Sequence, residues 1–213
     1  MCFPFRPKLI GRHAPIVPGS LSYTTPGVYS LPIPKHRTMT FDVRGASGGG
    51  GGSAGAQAEN PQPSGNPGGD GTYSQAYYYP NSGLLNVIGY PGGGGAGGVY
   101  GTNNTSNGSA GSAAGGDSHY PGGGPGGGAG GWEHVISYFG STENHAYYYA
   151  GNGGPGGRSV RTVSRGLLVP GQSLVIVVGS RGSPGSPGSF TWPYGDQHAA
   201  ASGGDGGVYI SWT

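Results

Sequence analysis

Residues 89–101 read GYPGGGGAGGVYG, with glycine at every third position: Gly89, Gly92, Gly95, Gly98 and Gly101. Most of the residues between are small, proline or tyrosine. A period of three suits a left-handed polyproline-II helix, which has three residues per turn and no internal hydrogen bonds. A face made only of glycine lets a neighbouring chain come close, because no Cβ intervenes. The free N–H and C=O groups must then bond to adjacent helices, since buried backbone groups are rarely left unpaired. The stretch therefore predicts a bundle of such helices, with a flexible glycine linker as the competing reading.

The same register recurs along the chain. It appears at Gly45/Gly48/Gly51, Gly65/Gly68/Gly71, Gly124/Gly127/Gly130, Gly151/Gly154/Gly157, Gly179/Gly182/Gly185/Gly188 and Gly203/Gly206. The 52 glycines and 19 prolines make up a third of the 213 residues, a share typical of low-complexity chains. The aromatic content of 11%, including 15 tyrosines, is unlike that of disordered segments, which are aromatic-poor. An ordered backbone lattice reconciles the two.

Charge is sparse, at 8% of residues and a net +2, so ion pairs cannot hold much together. Six of the ten basic residues (Arg6, Lys8, Arg12, Lys35, Arg37 and Arg44) fall in the first 44 positions, and none lies between Gly45 and Gly157. Nucleic-acid binding needs several cations on one face, so the glycine-rich body is a poor candidate for it. The basic N-terminal region is better suited to docking on another protein. Cys2 is the only cysteine, which excludes an intrachain disulfide and a multi-cysteine zinc site. The first residues lack the apolar run of a signal peptide, and no segment approaches the roughly 18 apolar residues of a membrane span. Synthesis in a cytoplasm and exposure as part of an assembly is the expectation, without membrane insertion.

Residues 1–22 carry Pro4, Pro7, Pro15 and Pro18, a density that forbids a helix or a central strand and predicts an extended attachment arm. Strand patterns follow. Residues 28–33 form an edge-strand candidate, since Pro32 and Pro34 confine it to an edge. Residues 38–44 alternate with Met39, Phe41 and Val43 on one face; residues 174–178 are wholly apolar, and Val208, Ile210 and Trp212 alternate at the end. The expected fold is mostly β and irregular. A small β-sandwich from residues 23–47 and 166–213 is joined to a polyglycine-II body with inter-glycine loops at residues 48–165.

Those inter-glycine segments are residues 73–90, 102–109, 132–149 and 190–201. Rods joined by longer loops place the loops at the rod ends, where binding residues usually sit.

The segments TPGVYSLPIPKHRTMTFDVRGASGGGGG, RGLLVPGQSLVIVVGSRG and GGDGGVYISWT resemble the glycine-rich distal domains of bacteriophage tail fibres. There a strand runs into a Gly-Ala-Gly-Gly type run and a late strand ends in a Val-Gly turn. The alternation of glycine blocks with aromatic loops is similar to the adhesins that cap the long tail fibres of T-even-like phages. The resemblance covers residues 24–213. It implies a polyglycine-II sandwich, a place on the virion, and distal loops that touch a bacterial receptor.

No nucleophile-elbow pattern and no P-loop ending is present, so no catalytic residue and no cofactor is assigned. His119, His134, His145 and His198 match no zinc spacing and read as exposed loop histidines, with a fibre-stabilising metal as the alternative. The aromatics are the stronger candidates for contact. Tyr77, Tyr78, Tyr79, Tyr90, Trp132, Tyr138, Phe139, Tyr147, Tyr148, Tyr149, Trp192 and Tyr194 gather in or beside the inter-glycine segments. Tyrosine gives large, rigid, amphipathic contact area at low entropic cost. The alternative for these rings is packing on the glycine faces.

The expected function is a non-enzymatic, receptor-binding tail-fibre or fibre-tip protein. Its partners would be other fibre proteins, through residues 1–22, and a bacterial polysaccharide or outer-membrane protein. Homotrimeric assembly stays open. The alternative is a purely structural virion fibre, spike or decoration protein. An ice-binding role fits less well, because the loops are bulky and irregular.

Overall fold

The computed structural model describes residues 15–55, 64–78, 83–99, 106–139, 142–189 and 195–213. Among them there is no helix. The strands are β1 (Gly19–Tyr23), β2 (Gly27–Pro32), β3 (Thr38–Arg44), β4 (Ser74–Tyr78), β5 (Asn86–Gly89), β6 (Ala113–Ala114) and β7 (Ser118–Tyr120). They continue with β8 (Trp132–Phe139), β9 (Thr142–Tyr149), β10 (Arg158–Ser164), β11 (Ser173–Val178), β12 (Gly195–His198) and β13 (Gly207–Trp212). One five-stranded sheet has the order β1-β13-β3-β10-β7 and a second the order β2-β11-β4-β5-β6. A separate three-stranded sheet has the order β12-β8-β9. All the pairings are antiparallel.

Alternation decides which side chains face inward. Met39, Phe41 and Val43 on β3 lie in one buried cluster with Leu174, Ile176 and Val178 on β11 and with Val208 and Ile210 on β13. Ala76, Tyr78 and Val87 join it from β4 and β5, and Leu31 and Val163 from β2 and β10. β2 takes the edge of its sheet, as Pro32 favours, and among the described residues pairs only with β11.

Two boundaries differ from the expected ones. Residues 19–22 of the expected arm belong to β1, which pairs with β13 in the register Gly19↔Trp212. The two large sheets also draw β4, β5, β6, β7 and β10 from within residues 48–165. The reason is that the glycine runs keep returning to the sheets, and each return deposits a strand there.

Eight extended runs leave or rejoin the sheets: residues 45–54, 64–73, 90–98, 106–112, 124–131, 150–157, 179–189 and 199–206. The first is central. Its successive N–H groups donate in rotation to three runs: Gly45 to Gly157, Ala46 to Thr72, Ser47 to Gly204, then Gly48 to Gly154, Gly49 to Gly69 and Gly50 to Ala201. Its carbonyls accept from three others, as in Gly92 to Ala46, Gly182 to Ser47 and Gly128 to Gly48. Six runs thus enclose it, and neighbours in that ring also bond to each other, for example Gly68 to Gly95, Gly154 to Gly93 and Gly69 to Ser183. Residues 106–112 add an eighth run outside, bridging Gly93 through Ser109 and Asn152 through Gly108.

Glycine is required here by distance. A Cβ on Gly50 would lie 1.9 Å from the Ala129 carbonyl oxygen, and one on Gly95 would lie 2.1 Å from that of Gly151. None of the glycines in these runs has positive φ; among the described residues those that do are Gly27, Gly115, Gly122, Gly166 and Gly171, which lie outside the runs. Their role is therefore close approach rather than left-handed backbone.

Candidate functional site

The runs at 45–54, 90–98, 124–131 and 179–189 lead away from the two large sheets, and the other four lead back. Each outward run must therefore be reversed at the far end. Residues 132–149 make one reversal as the β8–β9 hairpin, and β12 closes another by pairing with β8. The remaining far-end reversals lie outside the described residues.

Alternation along β8 puts Trp132 and His134 on one face. The register places His198 and Tyr149 beside Trp132, and Tyr147 and Asp196 beside His134. The rings form a continuous series. His198 stacks on Trp132 at 3.8 Å between centroids, and Trp132 meets Tyr147 at 6.0 Å. Tyr147 stacks on His134 at 4.4 Å, and His134 stacks on His145 at 5.1 Å. His134 Nε2 and His145 Nδ1 are 2.9 Å apart, so one imidazole donates to the other. Tyr147 and Tyr149 are each 46% exposed. With their flat faces largely spent on each other, the rings offer edges, N–H groups and hydroxyls to a ligand.

The opposite face of β8 is turned to the run ends. Gln197, beside Glu133, donates from Nε2 to the carbonyls of Ala54 and Gly188. Glu133 is fully buried there, and neither carboxylate oxygen has a hydrogen-bond partner. Burial pushes its carboxyl up to about 7. Ser53 Oγ, at the end of the central run, is likewise buried and unpartnered. Tyr148 shares the Glu133 face by register and is half-buried.

The twelve aromatic candidates are therefore divided. Trp132, Tyr147 and Tyr149 come together on one face of the far sheet, and Tyr148 lies on its other face. Tyr138 and Phe139 also lie in β8. Tyr77 and Tyr78 lie in β4, at the opposite end of the molecule. Tyr78 is only 4% exposed and donates from its hydroxyl to Gln172, so it is a core residue rather than a contact residue. Tyr77 is half-buried, and Tyr90, 40% exposed, opens a run beside the large sheets. Tyr79, Trp192 and Tyr194 lie outside the described residues.

No protein-family model and no curated protein matches this chain.

The histidines of the ring series were visible in the sequence only as loop residues. Alternation in WEHV and HAYYY was the available signal, since a period of two puts Trp132 with His134 and His145 with Tyr147. His119 lies in β7 and accepts from the Gly116 N–H through Nε2. Among the described residues, no three His, Cys, Asp or Glu side chains group in a way that could hold a metal ion.

Proposed function

We propose that this chain is a bacteriophage fibre-tip adhesin, in which a polyglycine-II bundle connects a β-sandwich to a receptor-binding face. The three-residue rotation of hydrogen bonds from the central run supports the polyglycine-II reading, because a three-fold helix points successive N–H groups at three neighbours. Two five-stranded sheets sharing one core support the sandwich. The observation that carries the adhesin reading is the ring series His198–Trp132–Tyr147–His134–His145, exposed at His198, Tyr147 and His145 and set at the far end of the glycine runs. Such a face presents ring edges and hydrogen-bonding groups, which suits a polysaccharide or an outer-membrane protein loop.

The test is adsorption of phage to host cells in the presence of excess purified protein. Competition is expected, and Trp132→Ala should weaken it by about 2 kcal/mol or more while circular dichroism stays unchanged. Absence of competition by the folded wild-type chain would replace this reading with that of a structural fibre, spike or decoration protein.

A further inference from the structure

At the end of the large sheets remote from the glycine runs lies a cavity of about 510 Å³. Its apolar wall includes Ile16, Leu168, Val169 and Pro170, and its charged members are Lys35, Arg37 and Arg165. The three cations are exposed, and among the described residues no acidic residue lines the cavity. A backbone bond holds the two arginines near one another, the Arg165 N–H donating to the Arg37 carbonyl at 2.6 Å. Among the described residues, the carboxylate-to-arginine pairs involve Asp42 with Arg44 and Arg158, leaving these three cations without one.

His36 also lines the cavity and is only 3% exposed. Its Nδ1 lies 2.9 Å from the Pro34 carbonyl, which can only accept, so Nδ1 carries the proton. In the neutral ring Nε2 is then an acceptor, and this buried atom has no partner. The cavity thus lacks two things at once: carboxylates for its exposed cations and apolar groups for its wall.

We propose that this cavity docks an acidic peptide segment with apolar side chains, contributed by a partner protein. An acidic peptide supplies both from neighbouring residues, carboxylates for the cations and apolar side chains for the wall. Among the described residues, no aromatic ring apart from the His36 imidazole lines the cavity, which gives a nucleotide base little to stack on. The chain's own first fourteen residues are the wrong sign, since they hold Arg6, Lys8 and Arg12 and no acidic residue. The site faces away from the far aromatic sheet, so the inference stands independently of the adhesin reading.

Fluorescence anisotropy with a labelled octapeptide of alternating Asp and Leu tests it on the full chain. The peptide is expected to bind more weakly at high salt, and its Lys/Leu counterpart not to bind. The double variant R37Q/R165Q should lose about tenfold or more in affinity with an unchanged melting temperature, because both side chains are exposed rim charges. No binding of the Asp/Leu peptide, equal binding by the double variant, or equal binding of an Asp/Ser octapeptide would each overturn the proposal. So would displacement of the peptide by inorganic pyrophosphate at equal concentration, which would mark a general anion site.

Discussion

The central run makes a sharp demand on its glycines, and Gly50→Ala against Gly126→Ala isolates it. Gly50 is buried; the added methyl would stand 1.9 Å from the Ala129 oxygen and 2.4 Å from its carbon, both backbone atoms. Ordinary contact begins at 3.4 Å, so the run at 124–131 would have to retreat by about 1.5 Å. That run is tied to the centre by Gly128 N–H to Gly48 at 3.0 Å and Gly131 N–H to Gly51 at 2.9 Å, and both bonds would be broken by such a shift. Losing two buried backbone bonds and leaving their groups unpaired costs about 3–5 kcal/mol. For a chain of this size that corresponds to a fall in melting temperature of about 10 °C. Gly126 is the control, since nothing lies within 4 Å of its would-be Cβ and its φ is not positive. Alanine there should be neutral or stabilising by up to about 1 kcal/mol, through a less flexible unfolded chain. Thermal unfolding followed by circular dichroism reads both. Equal melting temperatures for the two variants would refute the reasoning, because close approach would then not be what the glycines provide.

Two further predictions concern the other parts of the molecule. Phe41→Ala should destabilise the chain by about 3–5 kcal/mol in urea unfolding, since Phe41 is fully buried between the sheets; a loss under about 1 kcal/mol would contradict the shared core. Glu133 has its carboxyl raised by burial from 4.5 to about 7, so the fold binds its proton more tightly than the unfolded chain does. Its contribution is fully present below about pH 4.5 and is lost as pH rises through about 7, so Glu133→Gln should flatten the stability profile across that window. Identical pH profiles for variant and wild type would show that this carboxyl is not held neutral.

Much of the fold was legible in the chain because it is written in short periods. Period two in residues 38–44 and 208–212 marks β3 and β13, and the prolines of residues 28–34 put β2 on an edge. Period three in glycine marks the runs, where a Cβ on Gly50 or Gly95 would meet a neighbouring backbone carbonyl. Alternation alone also assigns Met39, Phe41 and Val43 to one face.

Which faces meet is another matter, and it depends on partners distant in sequence. No local pattern says that residues 45–54 are central; that follows from six runs donating to them or accepting from them, as far away as Gly204. The same limit explains the aromatics. Tyr77–Tyr78 and Tyr147–Tyr149 look alike as tyrosine clusters, yet the first pair sits in β4 with Tyr78 in the core, and the second cluster sits on a sheet at the opposite end. The direction of the run that carries each segment decides its end, and only the tertiary structure sets that direction. Glu133 shows the point at one residue: an ordinary carboxylate in sequence, it is buried because Gln197 and the ends of two glycine runs close over its side of β8.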